Sequence, residues 1–245
     1  MITALDHLVL RASFRDGAIG AYETLLGRQA QDGKLRVGNV GISVEDDAST
    51  ARLTSMVFAT ESLEKAAKLL ERRAMPAEMT DGRLMLAPAA THKVPIALIE
   101  RLASLPASPL KDSDETSSIS ALDHVVVRTP NPERAIVLYA GRLGLDLRLD
   151  RSNPKWNARL LFFRCGDLVV EIAHDLKKGV SDGPDQLWGL SWRTPDIARC
   201  HARLKKAGVD VTEPRDGRRP GSQVMSVTSH TANVPTIVIG GTGRW

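Results

Sequence analysis

Ile2-Thr3-Ala4-Leu5-Asp6-His7-Leu8-Val9-Leu10-Arg11 returns, 117 residues later, as Ile119-Ser120-Ala121-Leu122-Asp123-His124-Val125-Val126-Val127-Arg128. The same offset carries Tyr22 onto Tyr139 and Gly27 onto Gly144. Further along, residues 60–66 match 194–200, and residues 94–99 match 234–239. An internal repeat of this length means that one supersecondary plan is used more than once. The copies occupy 1–104 and 120–245. Residues 105–119 between them are rich in Pro, Ser and acidic side chains and have no hydrophobic period, so an exposed linker is expected there.

Each copy reads as two smaller units. Residues 122–129 form a β-branched run, hence a strand. Asn131-Pro132-Glu133 then supplies a capping side chain and a first-turn proline. Ala135, Ile136, Tyr139 and Leu143 lie on one helical face, which Gly144 ends. Ala18, Ile19, Tyr22 and Leu26, ended by Gly27, repeat that face in the first copy. Two more helices are marked by Leu63, Ala66, Ala67 and Leu70, and by Ile197, Cys200 and Leu204 before Gly208. After the third helix, strands are expected at 145–151, 157–165 and 167–173. After the fourth, they are expected at 209–214, 222–228 and 235–239. The fold is α+β, built of four β-α-β-β-β modules in two tandem domains.

Composition agrees with a soluble globular chain. Of 245 residues, 42% are apolar and 25% charged. No apolar run approaches the ~20 residues that span a bilayer, and residues 1–7 lack a basic stretch followed by an apolar one, so no secretory signal is expected there. Cys165 and Cys200 form no C-x-x-C pair, which points to free thiols and a cytoplasmic setting. Lys and Arg number 19 against 13 Asp and Glu in residues 120–245, while residues 1–104 hold 13 of each. The excess is scattered and only 4% of residues are aromatic, so a nucleic-acid partner is not expected. An acidic small molecule suits the basic half better.

Four such modules, with Leu-Asp-His opening the first and third, resemble the vicinal oxygen chelate superfamily. That group includes glyoxalase I, extradiol dioxygenases, methylmalonyl-CoA epimerase and bleomycin-resistance proteins. The resemblance covers nearly the whole chain outside the linker. It is strongest in residues 122–128, 139–144 and 168–172. It implies paired modules curling into half-open barrels, often around a divalent metal. One ligand, often His, stands on a module's first strand and a Glu on its last. Here those positions are His124 with Glu171, and more weakly His7 with Glu45. Fe, Mn, Ni and Zn all suit such donors.

The second and fourth modules depart from this pattern. The positions matching His124 are Ser55 and Gly189, and those matching Glu171 are Leu98 and Val238. A barrel pairing adjacent modules then holds one His and one Glu, short of the three protein ligands common in catalytic metal sites. The first module is also short, since Gly27 to Glu45 is 18 residues and Gly144 to Glu171 is 27. Its site is expected to be degenerate.

Four further residues are candidates around a small oxygenated ligand. Arg128 and Arg193 share the register of His124 and Gly189, and two inward guanidinium groups can hold an acid. Trp156, between strands, can cover an apolar portion. His174 ends its strand beside Asp175, as a rim residue or an acid–base group. Two functions are expected to compete. One is a metal-assisted lyase, isomerase or dioxygenase acting on a small oxygenated metabolite. The other is a metal-free sequestering protein of the bleomycin-resistance type. Homodimerisation through the fold is a third use.

Overall fold

The computed structural model describes residues 1–48, 51–103, 105–112 and 114–241. The first module is β1 (Ile2–Ala12), α1 (Arg15–Leu26), β2 (Lys34–Arg36) and β3 (Gly41–Asp46). The second is β4 (Arg52–Thr60), α2 (Leu63–Arg72), β5 (Ala77–Thr80), β6 (Arg83–Leu86) and β7 (Ile96–Glu100). The third is β8 (Ala121–Arg128), α3 (Pro132–Ile136) continued by a π-helical turn over Val137–Arg142, β9 (Asp146–Asn153), β10 (Ala158–Cys165) and β11 (Leu168–Asp175). The fourth is β12 (Gln186–Arg193), α4 (Ile197–Lys206), β13 (Arg215–Asp216), β14 (Ser222–Val227) and β15 (Thr236–Gly241).

The strands form two mixed sheets. The first runs β2-β3-β1-β4-β7-β6-β5 and the second β13-β14-β15-β12-β8-β11-β10-β9. In each, the first strands of two modules lie side by side at the centre. The opening strand of the second and fourth modules pairs in parallel with that module's last strand. The α+β class and the tandem modules are those the repeat predicts. Two details differ. The first module has three strands instead of four, because its shortened middle leaves residues for only one short strand before β3. Residues 209–214 form no full strand. Val211 bridges Val227, and Thr212 N bonds Ser226 O, but Pro214 has no amide hydrogen with which to extend the ladder.

Local chemistry sets the helix ends. Asn131, Ser62 and Asp196 accept from the backbone N–H three residues on, capping α3, α2 and α4. Gly27 and Gly144 take left-handed φ values of 68° and 75°, which glycine adopts without a Cβ clash. The core is rich in Leu and Val, with Trp192, Tyr22, Tyr139, Phe58 and Phe163 fully buried. No helix among the described residues is long and apolar enough to cross a membrane.

The chain packs as two compact units. The first comprises the described residues of 1–7, 54–104 and 125–188. In it Arg73, just past α2, donates from Nη1 to the carbonyl of Arg142 at 2.8 Å. Asp185 is fully buried and accepts from Arg134 Nη2 at 2.6 Å and from Thr129 Oγ1 at 2.7 Å. Its amide donates to His92 O.

Asp6 also belongs to this unit, bonded by His7 Nδ1 at 2.7 Å and by Arg101 Nε. Burial works to raise the Asp6 carboxyl, but the bonds from His7 and Arg101 outweigh it and hold the group below its ordinary 3.8. A carboxyl lowered on folding stabilises the native state above its unfolded pKa and loses that contribution as pH falls through the native value. Stability is therefore expected to decline below about pH 4. Asp6→Asn should flatten that acid limb, which urea midpoints measured from pH 6 to 2 would show.

The second unit comprises the described residues of 8–53, 105–124 and 189–245. Arg203 of α4 donates to three carbonyls: Ser117 from Nε at 2.9 Å, Thr24 from Nη1 at 2.6 Å and Leu25 from Nη2 at 2.8 Å. Tyr22 donates to Thr231 O at 3.2 Å. The linker stretch is exposed at most positions, yet it is pinned. Arg28 donates to Ser108 O and Ile119 O, and Lys111 N to Gly27 O.

Candidate functional site

His124 stands on β8 and is nearly buried. Its Nδ1 lies 2.8 Å from Asp123 Oδ1, and its Nε2 lies 2.6 Å from Ser191 Oγ. A carboxylate can only accept, so Nδ1 carries a proton; in the neutral imidazole the Nε2 lone pair then faces the serine O–H. A metal ion would need that same lone pair. Asp123 is approached in turn by Arg219 Nη2 at 3.4 Å and Arg193 Nε at 3.9 Å. Arg193 Nη2 also donates to Leu122 O at 3.0 Å. Arg193 is thus committed to an acid and a carbonyl, in an ion-paired cluster.

Glu171 lies half-buried on β11, the strand next to β8 in the second sheet, opposite Phe162 of β10. In the first copy His7 bonds Asp6, and Glu45 is 40% exposed and paired with Arg11 Nε at 3.1 Å.

The two matching first-strand positions are closed for a physical reason. Ser55 Oγ donates to Pro95 O at 3.1 Å. At Gly189 a Cβ would come within 2.8 Å of Pro235 O, so no ligand side chain fits there without moving backbone. Leu98 and Val238 are buried and apolar. Among the described residues no group of three or more His, Cys, Asp and Glu side chains could hold a metal ion. The donors present do not fit a metal centre of three protein ligands.

Arg128 and Trp156 come together elsewhere. They line a cavity of about 560 Å³ in the first unit, at the end of β8, with Lys178 and Gln186 also on its wall. The guanidinium of Arg128 lies 3.9 Å from the ring centroid of Trp188. Among the described residues Arg128 has no acidic partner, unlike Arg11 and Arg193. Asp175 lines the same cavity and accepts from Asn157 Nδ2 at 2.7 Å. His174 also borders it, but strand alternation puts its side chain on the face of Val170 and Ile172, and Nδ1 donates to Thr129 O at 3.1 Å. Both thiols are buried. Burial pushes Cys165 up to about 12 and Cys200 also upward, so neither is a nucleophile.

Sequence reasoning missed Ser191 and the role of Asp123. The signals were present: Asp precedes His in both copies, and Ser191 shares the alternation of Gly189.

Comparison with known proteins places these features. Residues 123–225 match the family described as Glyoxalase/Bleomycin resistance protein/Dioxygenase superfamily. An ethylmalonyl-CoA/methylmalonyl-CoA epimerase of Cereibacter sphaeroides is 26% identical over 109 residues, covering 40% of this chain and 81% of that protein. A 4-hydroxymandelate synthase variant from Streptomyces coelicolor superposes with a TM-score of 0.74 at 13% identity, over 100% of this chain and 94% of that one. The Mn(II)-bound glyoxalase of Novosphingobium aromaticivorans gives 0.70 at 13% identity, over 99% and 83%. The 2,2',3-trihydroxybiphenyl 1,2-dioxygenase of Sphingomonas wittichii RW1 gives 0.69 at 17%, over 100% and 91%. At these identities the structures share the fold, and their chemistry stays their own. The family match runs from β8 into β14, and the first strands of two modules lie side by side in both sheets, so residues 123–225 are similar to that superfamily and the whole chain shares the fold of these structures.

Proposed function

We propose that this chain binds a small anionic, oxygenated metabolite in the cavity at the end of β8, without a metal held by His124. One observation carries the reading: Arg128 is stacked on Trp188, lines a cavity of about 560 Å³ and has no acidic partner among the described residues. A guanidinium placed over an indole keeps N–H groups for a planar acid group, which it can meet with two parallel hydrogen bonds. Lys178 adds a second cation to the wall. The commitment of His124 to Asp123 and Ser191 supports the metal-free side of the proposal.

A thermal-shift screen of small carboxylates, phosphates and divalent ions tests this, together with elemental analysis of native protein. A carboxylate present at 100 times its Kd adds about 2.7 kcal/mol to the native state. For a chain of this size that is about 5–10 °C in Tm. The shift should be lost in Arg128→Gln. One equivalent of Fe, Mn, Ni or Zn per chain, lost in His124→Ala, would overturn the proposal in favour of metal-assisted catalysis.

A further inference from the structure

Resting on that reading of the cavity, we infer that its ligand is an aromatic monocarboxylate, with its acid group on Arg128 and its ring against Trp156. Three features of the wall narrow the class. Trp156 sits in the turn between β9 and β10, is 43% exposed and is the largest aromatic side chain among the residues lining the cavity. Arg151 lies 5.8 Å from its ring centroid, a cation that strengthens an indole's hold on its place without covering it fully. A flat ring laid on the indole gains both buried area and quadrupole complementarity, whereas a saturated chain of equal length gains area alone.

The charge on the wall sets the number of acid groups. Arg128 and Lys178 supply two cations, and Asp175 supplies one anion. Asp175 is held by Asn157 Nδ2 and by Lys177 N, which fix it in place and leave its charge on the wall. A monoanion meets Arg128 without crowding that carboxylate, while a dianion would place its second charge against it. Gln186 offers an amide that can both donate and accept, suited to a ring hydroxyl or carbonyl. The volume of about 560 Å³ admits one or two fused rings.

The test titrates the full chain with 2-naphthoate, decahydro-2-naphthoate and 2-naphthamide, followed by calorimetry and tryptophan fluorescence. The wild type should bind 2-naphthoate about 3–10-fold more tightly than its saturated analogue. Trp156→Leu, which keeps apolar area and removes the indole, should erase that preference and keep the preference for acid over amide. Arg128→Gln should do the reverse. Both residues are exposed, and unchanged circular dichroism and Tm would confirm that the variants fold. Equal affinity for the aromatic and saturated acids in the wild type, with Arg128→Gln still weakening both, overturns the aromatic assignment and leaves the anion site standing. Equal affinity for acid and amide, or no binding of any of the three, overturns both.

Discussion

Replacing Arg203 by Met is expected to cost about 2–4 kcal/mol of stability, which for a chain of this length lowers Tm by about 5–15 °C. One guanidinium holds three carbonyls, those of Thr24, Leu25 and Ser117. Two of them belong to the last turn of α1, where helix carbonyls have no partner of their own and the dipole favours a cation. Met keeps much of the aliphatic stem's packing but leaves all three oxygens without this donor. Lys should rescue little, because one ammonium cannot reproduce the planar fork. Arg73 makes the corresponding contact to a single carbonyl, that of Arg142. Arg73→Met should therefore cost less, and the difference between the two variants measures the value of the fork. Urea denaturation of both checks this, and a cost for Arg203→Met within about 0.5 kcal/mol of zero would mean that water replaces the arginine.

A second large effect is expected at Asp185. Its fully buried carboxylate neutralises Arg134, accepts from Thr129 Oγ1 and sits where the loop carrying Gly183 and Pro184 meets the start of β12. Asp185→Ala leaves the partly buried Arg134 charge without its counter-ion, and about 3–5 kcal/mol should be lost. Asp185→Asn retains an acceptor for Thr129 and should lose less. Pairing Asp185→Ala with Arg134→Met removes both charges, and the double variant should be more stable than the sum of the single losses implies. Because Gly183, Pro184 and Gln186 line the Arg128 cavity, ligand affinity should fall alongside stability in Asp185→Ala.

The repeat made the modules legible because it is covalent: Leu-Asp-His and the two helix-ending glycines stand at one offset. The cap at Asn131 was readable for the same local reason. What escaped was set by contacts far apart in sequence. Ser191 reaches His124 across 67 residues, and nothing within either strand states that a histidine's lone pair is already taken. Gly189 could be seen to lack a ligand side chain. That Pro235 O closes the position to any such side chain needed the β12–β15 pairing. Arg128 and Arg193 look alike along their strands, and only their surroundings separate a stacked guanidinium on a cavity wall from one bound to Asp123.

The division of the second unit, which joins residues of 8–53 to residues of 189–245, has a consequence for how the chain is made. During synthesis α1 emerges early, yet the side chain that closes its end is Arg203, and the carbonyl that receives Tyr22 O–H belongs to Thr231, 209 residues downstream. All residues of the first sheet are translated before Arg203 and Thr231, so α1 gains these two contacts only after that later stretch has emerged. Contacts of such sequence separation slow folding, since the intervening chain must be closed before they form. The nascent first copy thus has an interval in which the end of α1 lacks its arginine and the Tyr22 hydroxyl lacks its acceptor.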